Sequence, residues 1–311
     1  MGAENEVWSI GELAERAGVS VKTVRYYSER GLLPEGGRTG GGHRRYGPGA
    51  LERLRSIRAL RALELPVTDV GRVLDQGAAW EDVVAGRLRE VERRMTALRW
   101  HEASLRLLRD APAAERAERL RLLGGLATPP DTTALARFWR RTLPVRFPAR
   151  LAAAVVDVAV PEPPADPTPA QVLAYARLHA LVAAVPAPAV HLAGVPHRPS
   201  ALYEGLAEAY DLAAAHRTEA LDRFVAAYAD ALTTRDTPAF RRRLARLLAT
   251  GADPLIGRYW HLVGELRAPE HGPTAGALHG RMCLALKRDV TAEAGAGTEP
   301  WPDPSAGVWG E

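Results

Sequence analysis

Hydrophobic positions in residues 7–76 repeat at the spacing of short α-helices, and signals for β-strands are rare. Ile10 and Leu13 are three residues apart, so they share one face of a first short helix. Ser9, followed three residues later by Glu12, fits a capping box at the start of that helix. The pattern therefore predicts a helix that begins just after Ser9 and runs to about residue 16.

A second helix is predicted directly after a glycine turn. Gly18 suits a left-handed turn residue, and Ser20 is a good N-cap for a helix from Val21 to about Arg30. Val21 and Val24 are three residues apart, and we expect both to face inward. Two short helices joined by a tight glycine turn form a helix-turn-helix.

The polar residues of this second helix are suited to contact DNA. Lys22, Arg25 and Tyr26 are left for the outer face once the valines are placed inside. Two cations can bind phosphates and base edges, and a phenol can donate to a phosphate oxygen. Thr23 and Tyr27 belong to the same helix and complete the predicted DNA-binding set there.

A glycine-rich break at residues 35–42 follows, and arginines surround it. Arg38, Arg44 and Arg45 lie on its two sides and Tyr46 closes it. A hairpin of this kind can lie close to the DNA backbone and offer fork-shaped donors to phosphates. The edges of the break are the best strand candidates in the chain, besides a short stretch at residues 190–192.

Residues 81–109 form one long amphipathic run without proline. Its apolar residues are spaced by four, three, four, three and seven, as in a coiled-coil seam of about three heptads. The predicted seam consists of Val84, Leu88, Val91, Met95, Leu98 and Leu105. The alternative is a single amphipathic helix that packs only on its own domain.

The rest of the chain is rich in alanine and leucine, and prolines cut it into helical segments over residues 132–290. Linkers are predicted at residues 127–133, 159–170 and 185–200, where prolines are dense. Residues 291–311 lack periodicity and are predicted to be a disordered tail.

Charge is concentrated in one short block. Residues 16–61 hold eleven basic and three acidic residues, whereas residues 111–311 hold 22 and 21, so the basic excess lies in the first domain. Such a concentration is typical of a surface that binds a polyanion. The single cysteine, Cys283, cannot form an internal disulfide, and neither a membrane span nor a signal peptide is visible. A cytoplasmic protein is the simplest interpretation.

Two stretches of the first domain carry a specific resemblance. SIGELAERAGVSVKTVRYYSERGLLPE and GHRRYGPGALERLRSIRALRALELPVTDVGRVL resemble the DNA-binding domain of the MerR family of bacterial transcription regulators. The most specific parts are TVRYYSERGLL and HRRY, although the wing loop is longer and richer in glycine than is usual in the family. The resemblance covers residues 7–76, and the long helix at 80–110 extends it.

The resemblance implies a winged helix with two helix-turn-helix-like units, the second at residues 49–63 and 68–74. It implies pairing of two chains through an antiparallel helix, a palindromic promoter element in double-stranded DNA, and distortion of that promoter for RNA polymerase. It also implies that DNA is contacted, mostly at phosphates, by Ser20, Thr23, Arg25, Tyr26, Arg44 and Tyr46. The predicted class is thus mainly α: a winged helix-turn-helix, a dimerisation helix and a C-terminal α-helical bundle.

The resemblance to this family implies that the C-terminal region senses the signal to which the regulator responds. Three roles for residues 132–290 stay open. An aromatic pocket could bind a cationic, lipophilic effector, but aromatic residues at helical spacing are more often core. The candidate pocket residues are Tyr203, Tyr210, Phe224, Tyr228 and Trp260. The region could instead bind a protein partner, or it could only enlarge a constitutive dimer.

Metal, cofactor and enzyme signatures are weak throughout. His261 and Glu265 are four residues apart, which fits a ligand pair but more often a surface hydrogen bond or salt bridge. A thiolate metal sensor is not expected, because the one cysteine lies far from the end of the long helix. Neither a phosphate loop nor a nucleophile elbow is present, so we predict no enzyme and no cofactor.

Overall fold

A computed structural model describes residues 7–75, 80–143, 147–184, 198–251, 253–267 and 272–296. The predicted mainly α class is confirmed, since helices form most of these residues. The chain divides into two compact units, Met1–Met95 and Thr96–Glu311. None of the helices in the described ranges is both long enough and apolar enough to cross a membrane.

The first two helices form the predicted helix-turn-helix. Helix α1 spans Ile10–Ala17 and begins with the Ser9–Glu12 capping box, in which each residue's side chain accepts from the other's backbone N–H. Gly18 has φ 65°, a left-handed conformation that favours glycine, and it ends α1. Helix α2 spans Val21–Glu29, and Ser20 Oγ accepts the Thr23 N–H at 3.1 Å at its start.

The glycine-rich segment forms the predicted wing. Strand β1, Gly37–Arg38, pairs antiparallel with strand β2, Arg44–Arg45, so that Arg38 lies opposite Arg44. A third segment joins this ladder through Trp8, whose backbone exchanges two hydrogen bonds of 2.7 and 2.9 Å with that of Tyr46. The wing is therefore attached on one side to the chain that precedes α1.

Helices α3, Pro48–Ala62, and α4, Val67–Asp75, form the second helical pair. The apolar residues of α3 form its core face, on which Leu54 and Ile57 are fully buried. Val70 of α4 joins the same core, which also receives Leu13 of α1. Burial of these side chains holds the helices of the first unit around one centre.

Helix α5, Trp80–Arg109, is the long helix predicted at residues 81–109. Its apolar residues lie on two faces with different surroundings. Trp100, Ala103 and Leu107 are buried in a core of the second unit. Leu98 and Leu105, in contrast, are 65% and 67% exposed, so their apolar side chains contact solvent in the single chain.

Among the residues that the structure describes, the second unit contains a 3₁₀ turn, Ala113–Glu115, and nine further helices. These helices are α6 Arg116–Gly124, α7 Thr133–Thr142, α8 Ala149–Ala159, α9 Pro169–Ala184, α10 Pro199–Ala214, α11 Ala220–Ala231, α12 Pro238–Thr250, α13 Pro254–Leu266 and α14 Ala275–Ala296.

Two hydrophobic cores organise these helices. One is built from α5, α7, α9 and α13 around Tyr175 and Tyr259. The other is built from α10, α11, α12 and α14 around Phe224. A Cβ on Gly205 of α10 would lie 2.6 Å from the Cβ of Ala227, so only glycine allows α10 and α11 to pack this closely.

Sequence and structure differ at one end of the chain. The disordered tail was predicted to begin at residue 291, but α14 continues to Ala296. The stretch TAEAGA contains glycine yet also three alanines, which favour a helix that is already nucleated upstream. The remaining residues of the predicted tail, and the strand candidate at residues 190–192, lie outside the described residues.

Candidate nucleic-acid interface

Helix α2 presents a mixed cationic and aromatic face to solvent. Lys22, Arg25 and Tyr26 are exposed, as predicted, while Val24 is completely buried. The guanidinium carbon of Arg30 lies 4.4 Å from the centroid of the Tyr26 ring, a cation–π contact that sequence spacing did not single out. This contact adds a fourth group to the exposed face, just past the end of the helix.

Ser20 and Thr23 lie at the start of this face. Ser20 caps the helix, and its hydroxyl also lies 2.8 Å from the hydroxyl of Thr23. Ser20 is exposed and Thr23 half-exposed, so both hydroxyls are near solvent while they stabilise the first turn. The free N–H groups and the positive dipole end of a helix favour an anion at this position.

Val21 contradicts the expectation that it faces inward. The structure leaves it 40% exposed, although Val24, three residues later, is in the core. Val21 is the first residue of α2 and lies at the edge of its buried face, where the core does not extend far enough to cover it. The exposed face of α2 therefore includes an apolar group beside Lys22 and Arg25.

Tyr27 and Tyr46 also differ from the prediction that they contact DNA. Tyr27 is 8% exposed, and Tyr46 is completely buried within the first core. The hydroxyl of Tyr46 lies 2.7 Å from Oγ of Ser28, itself a buried residue of α2. The hydrogen-bonding capacity of this phenol is used inside the fold, so we correct both tyrosines from contact residues to core residues.

The arginines of the wing are paired with acidic residues. Glu35 accepts from Arg38 Nε at 3.3 Å through one carboxylate oxygen, and from Arg44 Nε at 2.7 Å through the other. Arg45 lies 3.9 Å from Glu12. All three arginines are at least partly exposed, so their unpaired N–H groups remain available to phosphates.

Three other arginines of the basic block act inside the fold. Arg53 donates to the carbonyls of Leu32 and Leu74 and pairs with Asp75, and it thereby joins the end of α4 to the turn after α2. Arg58 donates to the carbonyl at the end of α1, and Arg61 donates to that of residue 65. Charge counting did not separate these structural cations from the exposed ones.

The predicted dimer seam lies mostly on exposed positions of α5. Val84 is half-buried, whereas the other five seam residues are exposed apolar side chains: Leu88, Val91, Met95, Leu98 and Leu105. Exposure of large apolar groups in a regular row is typical of a surface that packs against another helix.

The five predicted pocket residues do not form one cluster. Tyr210, Phe224 and Tyr228 belong to the core of α10, α11, α12 and α14. Trp260 packs against the other core, beside Trp139 and Tyr259, and Tyr203 contacts Phe147 instead. The prediction of a single aromatic pocket is therefore corrected, since helical spacing alone does not tell which of two cores a residue joins.

One polar contact is buried within the core of α10, α11, α12 and α14. Tyr210 Oη lies 2.8 Å from Nδ1 of His279, and the His279 ring also packs edge-on against Phe224. Burial lowers the pKa of His279 and raises the pKa of Tyr210 well above its usual range. Burial likewise raises the pKa of the nearby Cys283 thiol to about 11, so that thiol is a poor nucleophile at neutral pH.

The pair with the spacing of metal ligands lies on one helix of the second unit. His261 Nε2 lies 3.2 Å from a carboxylate oxygen of Glu265 at the surface of α13, the surface contact that was the simpler of the two interpretations of their spacing. Within the described ranges, the structure contains no group of three His, Cys, Asp or Glu side chains placed to hold a metal ion.

Comparison with known proteins identifies the first unit. The family model of MerR helix-turn-helix regulatory proteins matches residues 8–77. The nodulation protein NolA of Bradyrhizobium sp. (strain NC92) is 39% identical over 85 residues, which are 27% of this chain and 36% of NolA. The transcriptional activator TipA of Streptomyces coelicolor is 42% identical over 72 residues, 23% of this chain and 28% of TipA. The chain thus matches less than two thirds of the length of either relative.

Two further proteins are matched over most of their own length. The crystal structure of the transcription regulator PbrR691 from Ralstonia metallidurans CH34 in complex with lead(II) is 31% identical, with a TM-score of 0.31, and the match covers 35% of this chain and 93% of PbrR691. The transcriptional regulator ZntR of Escherichia coli (strain K12) is 34% identical over 113 residues, which are 34% of this chain and 80% of ZntR. Because the match covers four fifths of ZntR at this identity, the chain belongs to the MerR family of helix-turn-helix regulatory proteins.

Proposed function

We propose that this protein is a transcription regulator that binds a palindromic promoter element as a homodimer. The observation that carries the proposal is the exposed face of α2. Lys22, Arg25 and Tyr26 lie together on it, and Ser20 and Thr23 begin it. A recognition helix with cations for phosphates and base edges needs this composition at its outer surface.

The wing supports the same function with a second set of donors. Arg38 and Arg44 are cross-strand partners at the two sides of the glycine-rich loop, and Arg45 follows. Guanidinium groups on a short hairpin can bind phosphates with two N–H donors each. We propose that α2 enters the major groove and that the wing contacts the adjacent backbone.

The exposed row on α5 supports a homodimer. Burial of five large apolar side chains against a second copy would remove them from water, a gain of about 1.5–3 kcal/mol for each side chain that becomes fully buried. A two-fold dimer presents two recognition helices related by symmetry, so the DNA site is expected to be a palindrome with half-sites separated by whole helical turns. We propose the antiparallel pairing that is implied by the resemblance to the family.

Control of transcription would follow from distortion of the promoter. A dimer that bends and untwists the DNA between the two polymerase elements can realign them for RNA polymerase, and the energy of deformation then contributes to specificity. An effector can change the level of transcription only if it binds two conformations of the dimer with different affinity. We propose the second unit as the site of that effector, with a protein-interaction module as the alternative.

A specific observation favours a small molecule over a protein partner. His179 stacks on Tyr175 in the core of α5, α7, α9 and α13, and its buried Nε2 has no hydrogen-bond partner among the described residues. Buried polar atoms in proteins are usually paired. A hydrogen-bonding group of an incoming ligand would pair with this nitrogen, next to the ring of Tyr175.

The first test is to map binding sites of the purified protein on fragmented genomic DNA of the host. Recovery of one or a few palindromes in overlong promoter spacers is the expected result, and the neighbouring genes would indicate the effector class. Broad binding without sequence preference would overturn the operator-specific function.

Two variants connect the mapped site to the structure. Arg25→Ala is expected to weaken binding and to relax sequence preference, by about 1–3 kcal/mol if Arg25 binds a base edge. Arg44→Ala is expected to weaken binding uniformly across sequences and to reduce the salt dependence by about one charge. Full affinity in both variants would contradict the proposed interface.

A further inference from the structure

We propose that Val21 determines base specificity by contacting the C5-methyl group of a thymine in the major groove. The inference rests on the proposed DNA-binding function and names a residue that would carry part of its sequence preference. It starts from the 40% exposure of a valine that the apolar pattern alone places in the core.

The position of Val21 is that of a base-reading residue. It is the first residue of α2, directly after the Ser20 cap, and the N-terminal residues of a recognition helix are those that contact base edges. Arg25 lies one turn later, and residues four apart on a helix are neighbours on its surface. Val21 and Arg25 therefore form one ridge on the exposed face, on the side that Lys22 also borders.

The major groove of DNA offers a chemical group that suits an apolar side chain such as Val21. The thymine methyl is the only apolar group that an unmodified base pair displays in the major groove, and apolar side chains are its usual contacts. Lys22 and Arg25, the cations beside Val21, are better suited to phosphates and to the N7 and O6 acceptors of guanine. Val21 supplies two exposed methyl groups at the N-terminal end of α2.

The geometry also predicts where the thymine lies. Side chains one helical turn apart are separated by about 5–6 Å, and base pairs are stacked about 3.4 Å apart. If Arg25 binds a guanine, the thymine read by Val21 is expected within one or two base pairs of that guanine. The same thymine should occur in both half-sites of the palindrome.

The test replaces thymine with deoxyuridine, which pairs identically but lacks the methyl group. Duplexes carrying a recovered operator are prepared with each thymine replaced in turn, symmetrically in both half-sites, and affinity is measured for the wild type, Val21→Ala and Val158→Ala. Val158 is an exposed valine of α8 in the second unit, so its variant is a matched control for loss of the same atoms. Circular dichroism confirms folding of each variant.

The wild type is expected to lose about three- to five-fold in affinity per half-site at one thymine position, the effect of one buried methyl group. Val21→Ala, which lacks the two γ-methyl groups, should lose clearly less affinity than the wild type when that thymine is replaced, and Val158→Ala should behave as the wild type. An equal loss in Val21→Ala and the wild type, or no loss in the wild type at any position, would overturn the inference while leaving DNA binding intact. Absence of sequence-specific binding by the wild type would overturn the proposed function itself.

Discussion

The phenol oxygen of Tyr46 lies 2.7 Å from the hydroxyl oxygen of Ser28, and both residues are buried in the first core. The contact joins the residue that closes the wing to the buried face of α2. Together with the backbone pairing of Tyr46 and Trp8, this hydrogen bond helps to fix the wing relative to α2.

Tyr46→Phe is expected to lower the free energy of unfolding by about 1–2 kcal/mol, because it leaves the Ser28 hydroxyl buried without this partner. Ser28→Ala should have a similar cost, and the double variant should cost less than the sum. Denaturant titration measures all three. If Tyr46 is a core residue, Tyr46→Phe keeps its affinity for DNA under conditions where it is folded; lost affinity at full stability would return Tyr46 to the contact set.

Glu35 competes with DNA for the wing arginines. Its two carboxylate oxygens accept from Arg38 and Arg44, the donors proposed for phosphates. Glu35→Gln is expected to tighten binding by about two- to five-fold at low salt, since each exposed ion pair that must be broken is worth about 1 kcal/mol or less. Titrations at several salt concentrations measure the effect.

The matched control for that experiment is Glu265→Gln, which removes the same charge from the second unit, where Glu265 pairs with His261. It should leave affinity for the operator unchanged. Weaker binding by Glu35→Gln would show that Glu35 orders the arginines for binding more than it neutralises them.

Leu98→Glu is expected to shift the protein from dimer to monomer. Leu98 is 65% exposed on α5 in the single chain, and a two-fold interface would place two new carboxylates in an apolar contact. Sedimentation velocity measures the change. Leu284→Glu on α14 alters a leucine of similar exposure, 58%, and should leave the dimer intact. A dimer that survives Leu98→Glu would show that other contacts hold the two copies together.

Stability is expected to fall as the solution becomes more acidic than the usual pKa of histidine. Burial lowers the pKa of His279 in the folded state, so the unfolded chain binds a proton first as the pH decreases. The contribution is fully present above about pH 6.5 and is lost as the pH falls toward the folded pKa. Below that range it no longer changes.

His279→Asn tests this linkage, because asparagine can still hydrogen-bond to Tyr210 but cannot titrate. The slope of unfolding free energy against pH should decrease between pH 6.5 and 5, by at most about 1.4 kcal/mol per pH unit, the limit for one proton. An unchanged slope in His279→Asn would assign the acid sensitivity to other groups, such as His179.

Local sequence signals predicted the first unit well. The Ser9 capping box, the Gly18 turn and the Ser20 cap each depend on residues within three or four positions, and all are present. The heptad spacing likewise predicted a long helix, which spans Trp80–Arg109. The caps and the turn depend on one turn of helix, and the heptad pattern depends on one continuous helix. Both can therefore be recognised without knowledge of the fold.

Features that depend on distant parts of the chain were not predictable in the same way. Tyr26 and Tyr27 are adjacent and chemically identical, yet one is exposed and the other buried, because only the packing of α2 on its neighbours distinguishes them. Arg53 has the same side chain as an arginine that contacts DNA, but it donates to the backbone carbonyls of Leu32 and Leu74. Each of these lies 21 residues away along the chain, one before Arg53 and one after it. Trp260 and Phe224 separate into two cores for the same reason.

The backbone pairing of Trp8 with Tyr46 has a practical consequence for the experiments proposed above. Trp8 pairs with the residue that directly follows Arg44 and Arg45, so the chain enters the winged helix beside these two arginines. A polyhistidine or other charged affinity tag upstream of Trp8 would add its own attraction or repulsion for DNA, strongest at low salt, where the Debye length is longest. Binding measured with such a tag would mix two polyelectrolyte effects, so purification through a cleavable tag, removed before titration, is the sound design.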